Sequence, residues 1–376
     1  MAGEPAGAQP TLLERYAIDR LDLGDLEILR LILRSDSVID WKRLHFKTRD
    51  EVDHFLRTSL FEPDDAADVR RMRQIHRQSV DYLRKTFRYK VALPVAEPHE
   101  IQDLFLLASG AMEPRRLRRI ACVVLKVMHT VHHVEARELL HRARVSEVEI
   151  AQMVDHRVRE TVERLVQVER LPIVEFEGSA KSRQSVITKL ISKRENVAAQ
   201  VYDRHRYRVV VNDPEALVAV VLALAHELFP FNYVLPGQTQ NTLVSLHELV
   251  QKSPRLRALG GHLLDEVDEV ARNAANEFSG HSYRILNFIV DLPLRIDATA
   301  LATRRERDED LGRIVFAPVE LQVVDRATAQ ANERGENAHA RYKKRQLRQV
   351  LTRLSRGLVV PRRHPGPGEG EPPKEG

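Results

Sequence analysis

Residues 171–178 read LPIVEFEG, a short β-branched and aromatic run closed by a glycine, and they break a helical texture that fills the chain before them. Upstream, from Leu21 to Gln167, apolar residues recur three and four apart, as in Leu26, Leu29, Ile32 and Leu33, or Val124, Val127, Val131 and Val134. That is the period of one helix face, and almost no alternating pattern interrupts it. Downstream the two periods mix. Residues 202–211, 283–296 and 314–324 read as strands, and 181–196, 214–228, 241–276 and 327–355 as helices.

The expected fold class is therefore α+β, with an all-helical N-terminal domain over 11–168 and a mixed sheet flanked by helices over 169–358. A chain of 376 residues suits two domains. Residues 1–10 are rich in Ala, Gly and Pro, and 359–376 carry too many prolines and glycines to hold a helix or bury apolar surface. Both ends are expected to be disordered.

Charged residues make up 30% of the chain and hydrophobic ones 43%, enough apolar matter for packed cores. The net charge of +5 suits phosphate-rich ligands without demanding nucleic acid. A single cysteine, Cys122, excludes an intramolecular disulfide and sits in the apolar run IACVVL (120–125), where a small buried hydrophobe is expected. No apolar stretch approaches the roughly 20 residues needed to span a bilayer, and the start lacks the blocks of a signal peptide. The expectation is a cytoplasmic protein with no membrane partner.

Three segments carry candidate chemistry. After Gly178, Lys181, Ser185, Lys189 and Lys193 recur four apart and share one helix face, while Val186, Ile187 and Leu190 share another. A cationic stripe just past a glycine turn suits a polyphosphate held by lysine charge, hydroxyl and helix dipole; taken alone, it reads first as a solvated surface, because lysines at helical spacing are common there. In VYDRHRYRVVV (201–211), Asp203 stands beside arginines, and Arg204, Arg206 and Arg208 take the parity opposite to Val209 and Val211. In IVFAPVELQVVD (314–325), Glu320 and Gln322 interrupt an apolar strand on one face, with Val319, Leu321 and Val323 on the other. A glutamate in such a strand needs a reason: a magnesium site shared with Asp203, a proton acceptor, or a structural ion pair to an arginine.

The order of these segments resembles the synthetase domain of the RelA/SpoT alarmone family. GSAKSRQSVITKLISKR (178–194) looks like the family's donor-gripping element, with Lys181, Ser185, Lys189 and Lys193 on matching positions. VYDRHRYRVVV places Asp203 at the magnesium aspartate and Arg208 at the arginine that packs on adenine. VELQVVDRATAQANERGENAHARYKK (319–344) keeps Glu320, Gln322, Glu333, Gly335, Ala338, His339, Tyr342 and Lys343 in ungapped register with the family's last block.

The resemblance implies a nucleotidyltransferase-like fold, with ATP and a guanine nucleotide as partners and Mg2+ as cofactor. By the same resemblance, Lys181, Arg183, Ser185, Lys189 and Arg208 bind ATP, Asp203 and Glu320 hold the metal, and Glu320 helps an acceptor 3′-hydroxyl attack the β-phosphorus. An RNA 3′ end is the alternative acceptor, gripped by the basic helix RYKKRQLRQVLTRLSR (341–356). The stripe Leu347, Val350, Leu351 and Leu354 in that helix reads first as a packing face.

The sequence departs from the family at several positions. Ser179 stands where the family has a donor-site arginine, and Val324 where it has an arginine after the glutamate strand. None of the sixteen histidines is followed by aspartate, so the family's His-Asp hydrolase signature is missing; His129, His132 and His133 read as helix-surface or packing residues. The acceptor block has two registers. NYVLPGQTQNTLVSLHELV (232–250) supplies Asn241, Ser245 and His247. NEFSGHSYRILNFIVDLPLRI (276–296) supplies Phe278, Ser279 and His281 directly before a strand, and is preferred. Residues 242–275 then become a helical insertion, with Gln322 joining the acceptor side.

Overall fold

The computed structural model describes residues 11–35, 44–180, 183–192, 205–264, 283–296, 311–334, 347–348 and 350–355. The helices before residue 168 are α1 (Leu12–Arg15), α2 (Leu23–Arg34), α3 (Arg49–Thr58), α4 (Ala66–Phe87), α5 (Leu93–Ala96), α6 (Ile101–Ser109), α7 (Arg118–Arg142) and α8 (Glu147–Gln167). After them come β1 (Ile173–Ala180), α9 (Arg183–Ser192), β2 (His205–Val211), α10 (Pro214–Glu227), β3 (Gln240–Asn241), α11 (Leu246–Gln251), α12 (Pro254–Leu264), β4 (Leu286–Arg295), β5 (Ile314–Asp325) and α13 (Arg326–Asn332). The fold is α+β, as the sequence implies. Local signals set many of these helix starts: Asp22 with Asp25, and Ser146 with Glu149, form capping boxes, and Asp213 caps α10 with Pro214 in its first turn.

The five strands run in the order β1-β2-β5-β4-β3. β2 and β5 are parallel, and every other pairing is antiparallel. The registers Arg206↔Glu320 and Ile289↔Glu320 put Glu320 on the central strand between two neighbours. Parity then assigns two faces. Tyr207, Val209, Val211, Val319, Leu321, Val323, Leu286, Phe288 and Val290 form a rear face that is buried throughout. Arg206, Arg208, Glu320, Gln322 and Asn287 share the front.

α10 explains how the rear is covered. Its residues Ala216 to Ala225 are all buried, because the helix lies between the sheet and α1, α2 and α3. A helix apolar on every side needs neighbours on every side. The apolar residues before and after residue 168 accordingly belong to one continuous core, from Leu12 through Leu104 and Val158 to Val323. On the front, α7 packs against the beginning of β5: His133 stacks on Phe316 with ring centroids 4.1 Å apart and planes at 7°.

His129, His132 and His133 are thus packing residues. Burial holds all three imidazoles below their ordinary range, His133 down to about 4. Among the described residues no cluster of His, Cys, Asp and Glu is arranged to hold a metal ion, and no helix is long and apolar enough to cross a membrane. Cys122 is half-buried, and burial raises its thiol pKa.

Two sequence expectations need correction. Gly178 does not close β1 as a turn. The strand continues to Ala180, with Gly178 opposite Tyr207, because a Cβ there would lie 2.8 Å from the Tyr207 ring and 2.9 Å from the Arg159 guanidinium. The helix that follows is described over Arg183–Ser192, inside the expected 181–196. In the C-terminal helix the apolar stripe is not a packing face: Val350 is buried but Leu347, Leu351 and Leu354 are exposed, and Arg353 donates to the Ile191 carbonyl instead.

Candidate active site

The front of the sheet carries one polar knot, centred on Glu320. Its ionisable side chain is buried, so its desolvation demands hydrogen-bond donors. The Arg206 Nε donates to Oε2 at 3.0 Å, while Asn287 Nδ2 and Gln322 Nε2 each donate to Oε1 at 2.9 Å. The register explains the convergence: Arg206 pairs laterally with Glu320 across β2 and β5, and Gln322 pairs with Asn287 across β5 and β4. One strand step along, Arg208 donates to Glu333 at 3.2 Å from the start of the chain beyond α13. Arg206 is a guanidinium set beside the carboxylate; Asn287 is the amide whose orientation that carboxylate fixes. The Asn287 Oδ1, at the other end of that amide, is buried without a hydrogen-bond partner.

The knot is bounded at both ends. Toward the start of β5, Phe316 carries the α7 histidines, and on neighbouring β4 the half-buried Asp291 carboxyl is pushed up to about 6 by desolvation. Toward the end of β5, Val210, Ile285, Val324 and Ala329 form a small apolar cluster under α13. Between these bounds the polar chemistry on the front face comes from Arg206 and Arg208 of β2, Glu320 and Gln322 of β5 and Asn287 of β4.

Of the residues singled out from sequence, Glu320, Gln322 and Arg208 come together on this face. Ser185 and Lys189 lie on one side of α9, which follows β1. Arg183 is the first residue of that helix. Asn241 spends its amide on a local turn: Oδ1 accepts from the backbone N–H of Leu243 and Val244, and Nδ2 donates to the Val244 carbonyl at 2.7 Å. Ser245 caps α11, and His247 is exposed on it. Lys181, Lys193, Asp203, Phe278, Ser279 and His281 lie outside the described residues.

Sequence reasoning missed Asn287 and left Arg206 without a role. An asparagine among the apolar residues of LNFIVDLPLR was the available signal for the first. For the second, parity placed Arg206 on the correct face, but only strand order could pair it with Glu320.

Glu320 supplies the hard oxygens that magnesium prefers, and a guanidinium and two amides surround it. The donor set thus fits either a cation clamp, in which Arg206 would yield to the ion, or a closed structural ion pair. A separate cavity of about 310 Å³ lies among α2, α3 and the end of α10, walled by Ile28, Leu31, Phe46, Phe55 and Phe231; no residue of the Glu320 knot lines it.

No protein-family model matches the sequence, and no curated protein matches it. Among solved structures, the chain is similar to small alarmone synthetase 1 from Bacillus subtilis bound to its product pppGpp, at 14% identity and a TM-score of 0.31, over 55% of this chain and 85% of that one. Small alarmone synthetase 2 from Bacillus subtilis gives 14% identity and a TM-score of 0.28, over 59% and 98%. A GTP pyrophosphokinase family protein from Streptococcus pneumoniae gives 11% and 0.23, over 56% and 90%.

Proposed function

We propose that this protein is a divergent RelA/SpoT-like pyrophosphokinase, which transfers pyrophosphate from ATP to the 3′-hydroxyl of a guanine nucleotide. The observation that carries the reading is Glu320: a buried carboxylate on the central strand, surrounded by Arg206, Asn287 and Gln322, at the position where the sequence resembles the family's metal-binding glutamate. Lys181, Arg183, Ser185 and Lys189 on and before α9 would neutralise the donor phosphates, and Arg208 would pack on its base. Asp203 and Glu320 would hold Mg2+, which supplies charge neutralisation at the transferring phosphorus. Glu320 would also take the proton of the attacking hydroxyl, with Arg206 beside it to balance charge. Gln322, Asn241, Phe278, Ser279 and His281 are the residues for the acceptor, with Phe278 offering a ring to a purine.

A second reading has its own support. Both oxygens of Glu320 already accept hydrogen bonds, one of them from a guanidinium, and Ser179 and Val324 remove two of the family's arginines. In this reading the protein binds a nucleotide, or a partner, without turning it over.

The test is transfer of label from [β-³²P]ATP to GDP, GTP and bulk tRNA with magnesium, comparing the native chain with Glu320→Gln. Labelled guanine nucleotide that disappears in the variant supports the synthetase. Label on tRNA alone moves the acceptor to an RNA 3′ end. ATP binding without transfer to any acceptor supports the silent reading.

A further inference from the structure

The first long helix of the molecule, α4, presents a charged surface that the Glu320 site does not use. Between Val69 and Ala96 the sequence holds eight arginines and lysines against one acid, Asp81; this local excess of seven is larger than the +5 of the entire chain. α4 sorts these residues by face. Met72, Ile75, Val80 and Leu83 are buried, Arg71 pairs with Glu135 at 2.6 Å, and Arg73 donates to the Pro98 and His99 carbonyls. Arg70, Arg77 and Arg84, seven residues apart, are exposed on the outer side, followed by Arg88 and Lys90. Among the described residues no carboxylate pairs with any of these five, whereas Lys85 is held by Asp81 at 3.1 Å. The row from Arg70 to Arg88 extends about 27 Å at the helical rise.

The same end of α4 exposes aromatic rings. Phe87 is 63% exposed and Tyr82 48%, with centroids 5.6 Å apart and planes at 77°. Arg88 caps the helix in the left-handed region (φ 51, ψ 31), a position glycine fills with less strain. Arg88, next to Phe87 in the chain, thus adopts a backbone conformation that costs local stability.

We propose that the outer face of α4, Arg70, Arg77, Arg84, Arg88 and Lys90 together with Tyr82 and Phe87, docks single-stranded RNA, the cations on successive phosphates and the rings against unstacked bases. Charge complementarity requires a polyanion, and exposed rings require one whose bases are free to stack, as in RNA loops and ends; a duplex would leave Tyr82 and Phe87 unused. An anionic bilayer fits less well, because the apolar side of α4 is already buried in the core and the helix has no free apolar face to insert. The inference is independent of pyrophosphoryl transfer: its readout is binding, and none of these residues belongs to the Glu320 site.

The test is fluorescence anisotropy of the full chain with a labelled oligouridine of about 12 nucleotides, across a salt series. Five phosphate contacts predict a slope of log affinity against log salt near −3.5, falling to about −2 in the Arg77→Ala/Arg84→Ala double variant. Phe87→Ala should weaken binding at least fivefold or so at constant slope. Arg88→Gly separates folding from binding, since it should unfold no more readily than the native chain yet bind more weakly. Absence of binding at low salt, equal binding by all variants, preference for duplex RNA, or binding only to vesicles containing phosphatidylglycerol would overturn the proposal.

Discussion

The Glu320 carboxylate and the missing side chain at Gly178 can each be tested by one substitution in the sheet. Glu320 is exchangeable for glutamine in shape but not in charge, so Glu320→Gln is expected to lower label transfer by at least about a hundredfold, with the urea midpoint showing whether the fold survives. Asn287→Leu should reduce transfer while removing only one donor from the carboxylate, and its effect would identify Asn287 as a positioning residue. Gly178→Ala tests the other feature. The added Cβ meets a Tyr207 ring that is held by Asp155 at 3.1 Å and stacked on Phe176, so it cannot swing aside. The expected loss is about 1–3 kcal/mol of stability, read by urea unfolding. At this scale the sequence is a good guide to Glu320, because a charge in an apolar strand has few reasons to exist. It is a poor guide to Gly178, since the crowding that requires glycine comes from α8 and β2, over regions distant in sequence.

Whole elements were legible where a periodic pattern was long. β2, β4, β5 and α10 fall close to the expected ranges, because each has a strong parity or an uninterrupted apolar run. The exceptions are instructive. β3 has only two residues, Gln240 and Asn241, too few for any alternation, and exists because β4 offers it an edge. β1 is displaced by two residues, since its end is set by pairing with His205 and not by its own glycine. α10 makes a prediction of its own: Leu222→Ala inside this fully surrounded helix should cost about 2–5 kcal/mol, measured by thermal unfolding, because the cavity would have packed neighbours on every side.

For the molecule as a whole, the shared core implies that the helices before residue 168 are needed to fold the sheet. A chain lacking residues 1–165 would expose the outer side of α10, and is expected to bind a hydrophobic dye and to lose cooperative melting. Acid should unfold the intact protein through α7. His129, His132 and His133 are held neutral by burial, so the unfolded chain binds protons there that the folded protein refuses, and stability falls as pH drops below about 6.5. Asp291, pushed up to about 6, acts in the opposite sense, since the folded protein binds its proton more readily. Three histidines outweigh one aspartate, with the Arg71 guanidinium adding positive charge that favours the neutral His132 imidazole. The midpoint in urea should therefore be lower at pH 5 than at pH 7, and His132→Phe, seated between Phe61 and Phe316, should flatten that difference.

The parallel pairing of β2 with β5 also has a consequence in time. Arg206 and Glu320 stand 114 residues apart in the chain, and no hairpin can bring two parallel strands together. On the ribosome, β2 therefore waits with one edge open until β5 has emerged, and the knot around Glu320 cannot be tied before those 114 further residues have been made.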